Sequence, residues 1–155
     1  MEFISDHITL AEATYSPKAI ALGYKNTPGA EELKNMKLLA TNVYEPLRAG
    51  LGNHPLKINS FFRSELLNQA IGGANGSQHV QGQAIDLDGL SCTNANIFHY
   101  IKENLVFDKL IWEFGTNKNP DWVHVSYNSN GNRKQILVGT KVKGKTIYKT
   151  YSNAK

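Results

Sequence analysis

The chain is 155 residues long, 41% hydrophobic and 19% charged, with a formal net charge of +4. That balance excludes a disordered chain, and the length fits one domain over residues 1–155. One cysteine, Cys92, excludes an internal disulfide and a cysteine-based zinc knuckle, and reads as a small buried or loop residue. The mild basic excess suits an anionic partner, although charge alone more often means spare surface lysines. The start, Met1 to His7, carries acid where a signal peptide needs base. No stretch approaches the roughly 20 apolar residues of a membrane span. A product made in the cytoplasm, without a signal peptide or membrane insertion, is expected; a target outside the cell would require release by another agent.

Thr9-Leu10-Ala11-Glu12 reads as a capping box that opens a short helix. Ser16-Pro17 opens another, which Gly23 ends. A long helix is predicted over 30–48, where Leu33, Met36, Ala40, Val43 and Leu47 recur at steps of three and four. Glu31 and Glu32 fall in its first turn, where the helix dipole favours them. Residues 57–62 alternate as a strand with Arg63 at its tip, and Ser64 caps a short helix over 65–71. Residues 84–88 form a second strand, and Thr93 caps a helix to 105 with Phe98, Ile101 and Leu105 as its buried stripe. Residues 109–114 and 122–127 are predicted to pair as a hairpin with a long connection. A strand over 135–138 and an edge hairpin over 141–151, folded at Gly144, complete the chain. The class is α+β, with N-terminal helices packed on a small, mainly antiparallel sheet. The chemistry-bearing motifs lie in 60–127, and 128–155 supplies C-terminal strands and the edge hairpin.

Hydrolytic zinc sites take three ligands from histidine and carboxylate and leave the fourth position to water. Ser77-Gln78-His79-Val80-Gln81-Gly82-Gln83-Ala84-Ile85-Asp86 and the later Asp121-Trp122-Val123-His124 supply such a set in His79, Asp86 and His124. Gly82 lets the His79 loop bend tightly before the strand. Alternation puts Asp86 with Ala84 on one strand face and Ile85 with Leu87 on the other. In the later strand Val123 and Val125 share one face, and Trp122, His124 and Ser126 the other. If Ile85 and Leu87 pack on the helices, Asp86 projects into an open cleft; His124 likewise projects from mid-strand toward a cleft. Glu113 sits between Trp112 and Phe114, an unusual place for a charge in a plain structural strand. A carboxylate that is not a ligand can shuttle the proton of a metal-activated water.

The pattern Ser77-x-His79-x-x-Gly82-x-Ala84-x-Asp86, followed by Trp122-Val123-His124, resembles the zinc D-Ala-D-Ala carboxypeptidase family, peptidase family M15. That superfamily includes D,D-dipeptidases, phage L-alanyl-D-glutamate endolysins and the zinc fold of hedgehog signalling domains. The resemblance runs from the first helix to about Tyr127. Ile4-Ser5-Asp6-His7-Ile8-Thr9 and Trp112-Glu113-Phe114-Gly115 resemble its compact phage and prophage branch. It implies Zn2+ held by His79, Asp86 and His124, with Glu113 as the catalytic glutamate. It implies that Arg63 holds the substrate carbonyl or carboxylate and stabilises the oxyanion, and that Ser77 orients the loop or contacts substrate. Some branches place the catalytic acid three residues before the last histidine, which makes Asp121 the alternative to Glu113. Trp122 is expected to wall the cleft. The implied activity is a monomeric zinc metallopeptidase acting on peptidoglycan stem peptides, as a carboxypeptidase or an endopeptidase. The alternative is a non-catalytic, zinc-stabilised cell-wall or peptide binding module.

A lone histidine is more often a hydrogen-bonded structural residue than a ligand, and His7, His54 and His99 read that way. The aromatic residues are scattered, so no stacking platform for nucleic acid is expected. Lys141, Lys143, Lys145 and Lys149 read as a solvated edge protected against aggregation.

Overall fold

Thr9 forms the predicted capping box: its Oγ1 accepts from the Glu12 amide at 3.1 Å, and Glu12 Oε1 accepts from the Thr9 amide at 3.1 Å. The computed structural model describes residues 1–152; residues 153–155, the end of the expected C-terminal segment, lie outside the described residues. Ahead of the box, β1 (Phe3–Ser5) and β2 (Ile8–Thr9) make a small hairpin that buries Ile4 and Ile8. Two short helices follow, α1 (Leu10–Thr14) and α2 (Pro17–Leu22), the second capped by Ser16 and ended by Gly23 in the left-handed region.

The stripe predicted as one helix over 30–48 folds as α3 (Ala30–Leu39), a π-helical turn (Ala40–Tyr44) and α4 (Glu45–Gly50). Pro46 offers no N–H to the carbonyl four residues back, and a wider turn carries the chain past that gap. The apolar face survives the change: Met36, Leu39, Ala40, Val43 and Leu47 are all fully buried. Full burial of a Leu or Met side chain is worth about 1.5–3 kcal/mol, so this face anchors the helical layer.

The remaining elements are β3 (Leu56–Ser60), α5 (Glu65–Ala70), β4 (Ala84–Gly89), α6 (Asn94–Asn104), β5 (Lys109–Glu113), β6 (Trp122–Ser126), β7 (Gln135–Val142) and β8 (Lys145–Thr150). The fold is α+β. Its six-stranded sheet has the order β3-β4-β6-β5-β7-β8. It is mixed: β5 and β7 run parallel, and the other pairs are antiparallel. The predicted hairpin of β5 and β6 is present. Ile85, Leu87, Leu110, Trp112, Val123 and Val125 join the helices in the core. The opposite sheet face is the floor of a cleft.

The expected edge hairpin folded at Gly144 is present, with β8 at the end of the main sheet. Its first arm differs from the sequence reading, because β7 is one continuous strand through Gly139 and not two pieces. Glycine weakens a strand, which is why the sequence breaks at this point on propensity. In the structure the missing side chain makes room: a Cβ at Gly139 would lie 2.9 Å from Glu113 Oε1 and 2.8 Å from the Tyr148 ring.

Candidate metal centre and active site

Sheet register sets the site. Asp86 is paired with His124, and His124 with Ile111, in one cross-strand row. Two residues along, on the same face, a second row runs Trp122, Glu113, Gly139 and Tyr148. The first row carries two candidate ligands and the second carries the free carboxylate.

His79 reaches the same place from a loop. Gly82, at φ +74°, closes that loop in a conformation that other residues avoid, and a Cβ there would run into the Glu32 carbonyl of α3. The His79 ring is buried and fixed: Nδ1–H donates to the Phe61 carbonyl at 2.8 Å. That bond occupies Nδ1 and leaves Nε2, 3.3 Å from Asp86 Oδ2, as the nitrogen available to a metal. The Arg63 amide donates to the His79 carbonyl at 3.2 Å, tying the loop to the end of β3. Asn26 secures that end, donating to the Thr14 and Phe62 carbonyls and accepting from the Ser64 amide. Ser77 Oγ accepts from the His79 amide at 3.3 Å.

His124 Nδ1 lies 3.0 Å from Asp86 Oδ1, and one donor atom from each of His79, Asp86 and His124 falls within 4.8 Å of the others. The donor set is two imidazoles and a carboxylate, gathered from a loop and two adjacent strands closely enough for one ion to reach all three. The residues present therefore fit zinc.

Burial works to raise the Asp86 carboxyl, but His79 and His124 outweigh it and hold the group well below the usual carboxylate range. Glu113, 5% exposed, shows the reverse. Burial pushes its pKa up to about 7; His124 and the Tyr148 hydroxyl pull it down, and the negative charge of Asp86 adds to the rise. Immediately beyond Glu113, Phe114 and Gly115 both adopt positive φ, ending β5 in a sharp turn that sets the Phe114 ring 5.4 Å from Trp122.

The cleft encloses about 870 Å³ and is lined by His79, Asp86, His124, Glu113, Arg63, Ser77 and Trp122 among others. Burial lowers the Arg63 pKa while the nearby Asp86 charge opposes that shift. Arg63 Nε is buried without a hydrogen-bond partner. Asp121 is not brought to the cleft. It is exposed, its amide donates to the Glu113 carbonyl at 2.9 Å, and its own carbonyl accepts from Asn94 Nδ2 at 3.0 Å. His7 pairs with Glu45 at 2.7 Å, and His99 packs edge-on to Phe98, so neither joins the site.

Sequence reasoning missed two groups. Asp108, 2% exposed, accepts from Arg133 Nε and Nη2, from the Arg133 amide and from Gln78 Nε2. The Arg133 bonds lead in holding its pKa down to about 2. Through Gln78 it braces the loop that carries His79. The second group is Leu137, Thr146 and Tyr148, which wall the cleft from β7 and β8. Strict alternation of Thr146 with Tyr148 was the available signal.

The family model for Peptidase M15 matches residues 6–126. The chain belongs to the peptidase M15 family. M15 peptidases are zinc-dependent metallopeptidases, and the His79, Asp86 and His124 set of this M15 chain has the donors such an ion needs. Comparison with curated proteins returns no match. Tyr148 and the Asp108–Arg133 pair are only partly inside the matched span: Asp108 falls within it, while Arg133 and Tyr148 lie beyond it.

Proposed function

We propose that this M15 chain hydrolyses peptide bonds in peptidoglycan stem peptides, as a carboxypeptidase or as an L-alanyl-D-glutamate-type endopeptidase. The observation that carries the reading is Glu113: a buried carboxylate beside the three candidate ligands but not one of them, with its pKa raised to about 7. A purely structural metal site has no need of such a group, whereas a general base is most effective with a pKa near the working pH.

Zinc held by His79, Asp86 and His124 would polarise the scissile carbonyl and bring the pKa of a bound water to about 7. Glu113 accepts a proton from the attacking water as the new C–O bond forms. It returns that proton to the amide nitrogen as the C–N bond breaks, so the products are a carboxylic acid and an amine. Arg63 holds a substrate carbonyl or carboxylate oxygen and opposes the charge that develops there. His79 is held in its ligating tautomer by the Phe61 carbonyl, and Trp122 walls the cleft beside the base. Asp121, exposed and not among the residues that line the cleft, is assigned a loop role and not that of base.

Mass spectrometry of purified peptidoglycan, digested with zinc-loaded and with chelated protein, tests the reading. New fragments with zinc alone support it, and their masses name the bond. No fragments from folded protein that binds zinc would favour a binding module in its place.

A further inference from the structure

Among the described residues, Tyr148 meets a need of the proposed reaction. A general base must present one carboxylate oxygen to the water, and among the described residues Glu113 makes no salt bridge that would fix its rotation. Across the described residues, the hydrogen bond to the Glu113 side chain comes from Tyr148, whose hydroxyl donates to Oε1 at 3.4 Å. Tyr148 lies in the same cross-strand row as Glu113, separated from it by Gly139. Gly139 has no positive φ that would require glycine. It leaves the gap through which the Tyr148 ring and the Glu113 carboxylate approach each other.

We propose that Tyr148 is a positioning residue: it holds Glu113 Oε1, so that the second carboxylate oxygen is the one offered to the water. The inference rests on the peptidase reading and deepens it. It also assigns a role to the β7–β8 hairpin, which lies beyond the residues matched by the family model. The separation of 3.4 Å is long for an O–H···O bond, and catalytic hydrogen bonds of this kind tighten when substrate excludes water from the site. Burial and the Glu113 charge push the Tyr148 pKa up to about 12, so the phenol keeps its proton and remains a donor at neutral pH.

Zinc-loaded wild type and Tyr148→Phe are compared on a soluble muramoyl pentapeptide, which carries both candidate bonds. Removal of the hydroxyl should lower kcat by about tenfold with KM changed less than about twofold. Gly139→Ala, which forces the ring and the carboxylate apart, should reproduce that pattern. Independently of turnover, the side-chain carboxyl resonance of Glu113 is followed by 13C NMR in metal-free protein at pH 8.5; it is identified by its loss in Glu113→Gln. That resonance should move in Tyr148→Phe. An unmoved resonance, a wild-type kcat, or a raised KM with kcat unchanged would each overturn the proposal. Wild-type protein that cleaves nothing would count against the peptidase reading, and the resonance alone would then decide whether Tyr148 holds Glu113.

Discussion

On the ligand side of the cleft, Asp86 lies between two imidazoles whose attraction outweighs the cost of its burial. On the base side, Glu113 lies on a neighbouring strand pair with one long hydrogen bond, and burial wins. The two carboxylates share a sheet face, yet one is kept charged and the other is poised to exchange a proton near neutrality. The ligand side is also cross-braced, with His79 tied to Phe61 and Arg63, and its loop tied through Gln78 to Asp108. Two acids whose surroundings drive their pKa values apart are a recurrent basis for assigning different roles to each. Under the proposed function Asp86 is the ligand and Glu113 the base.

The contrast can be broken most severely from the ligand side. Asp86→Asn or His124→Ala should empty the site and reduce cleavage by about 1,000-fold or more, matching chelated wild type. Elemental analysis of zinc per chain and peptide digestion check both halves of that statement. Glu113→Gln should separate the two sides: full zinc occupancy, with kcat lower by about 100- to 10,000-fold. Zinc loss from that variant would mean Glu113 is a ligand and not a base.

A stability measurement sharpens the same contrast without substrate. In metal-free protein the Glu113 pKa is raised from the usual 4.5 to about 7, so between these values the folded chain binds more protons than the unfolded one. Its contribution is complete below pH 4.5 and is lost as pH rises through 7, by up to about 3 kcal/mol. Urea unfolding from pH 4.5 to 8 should show that decline in wild type and its absence in Glu113→Gln.

Asp108 gives the opposite sign. Its stabilisation is present above the usual 3.8 and is lost as pH falls through about 2. Asp108→Ala should cost about 1–2 kcal/mol at pH 7, less than a fully buried ion pair because Arg133 is largely exposed to solvent. Thr9→Ala marks the lower end: about 1 kcal/mol of helix capping lost, with zinc content and cleavage unchanged.

The clustering of the candidate ligands was legible because the strand period of two and the glycine-closed loop leave few places for His79, Asp86 and His124 to point. Glu113 was legible as a charge where the flanking aromatics called for none. Tyr148 was not, because Gly139 divides the strand that brings β8 into the sheet, and local propensity cannot see the space Gly139 provides to a residue 26 positions earlier. Asp108 carried no signal in the sequence, since its partners Gln78 and Arg133 are distant along the chain. The N-terminal hairpin was hidden by its length, and the π-helical turn by a stripe that stays apolar on either side of Pro46. The parallel pairing of β5 with β7 depends on a long-range choice of neighbour that no local pattern specifies.

Because Asp86 faces His124 and Glu113 faces Trp122 in the two ladders that flank β6, the spacing of the site is a property of the backbone lattice. Side-chain adjustment cannot tune it continuously. A slip of β6 by a single residue would turn His124 into the core and offer Val123 or Val125 to the cleft, exchanging a polar face for an apolar one along the whole strand. Folding errors at this strand are therefore digital: the population divides into molecules with a complete site and molecules with none. A preparation at half activity should accordingly contain half-occupancy in zinc, and not a uniformly weakened enzyme.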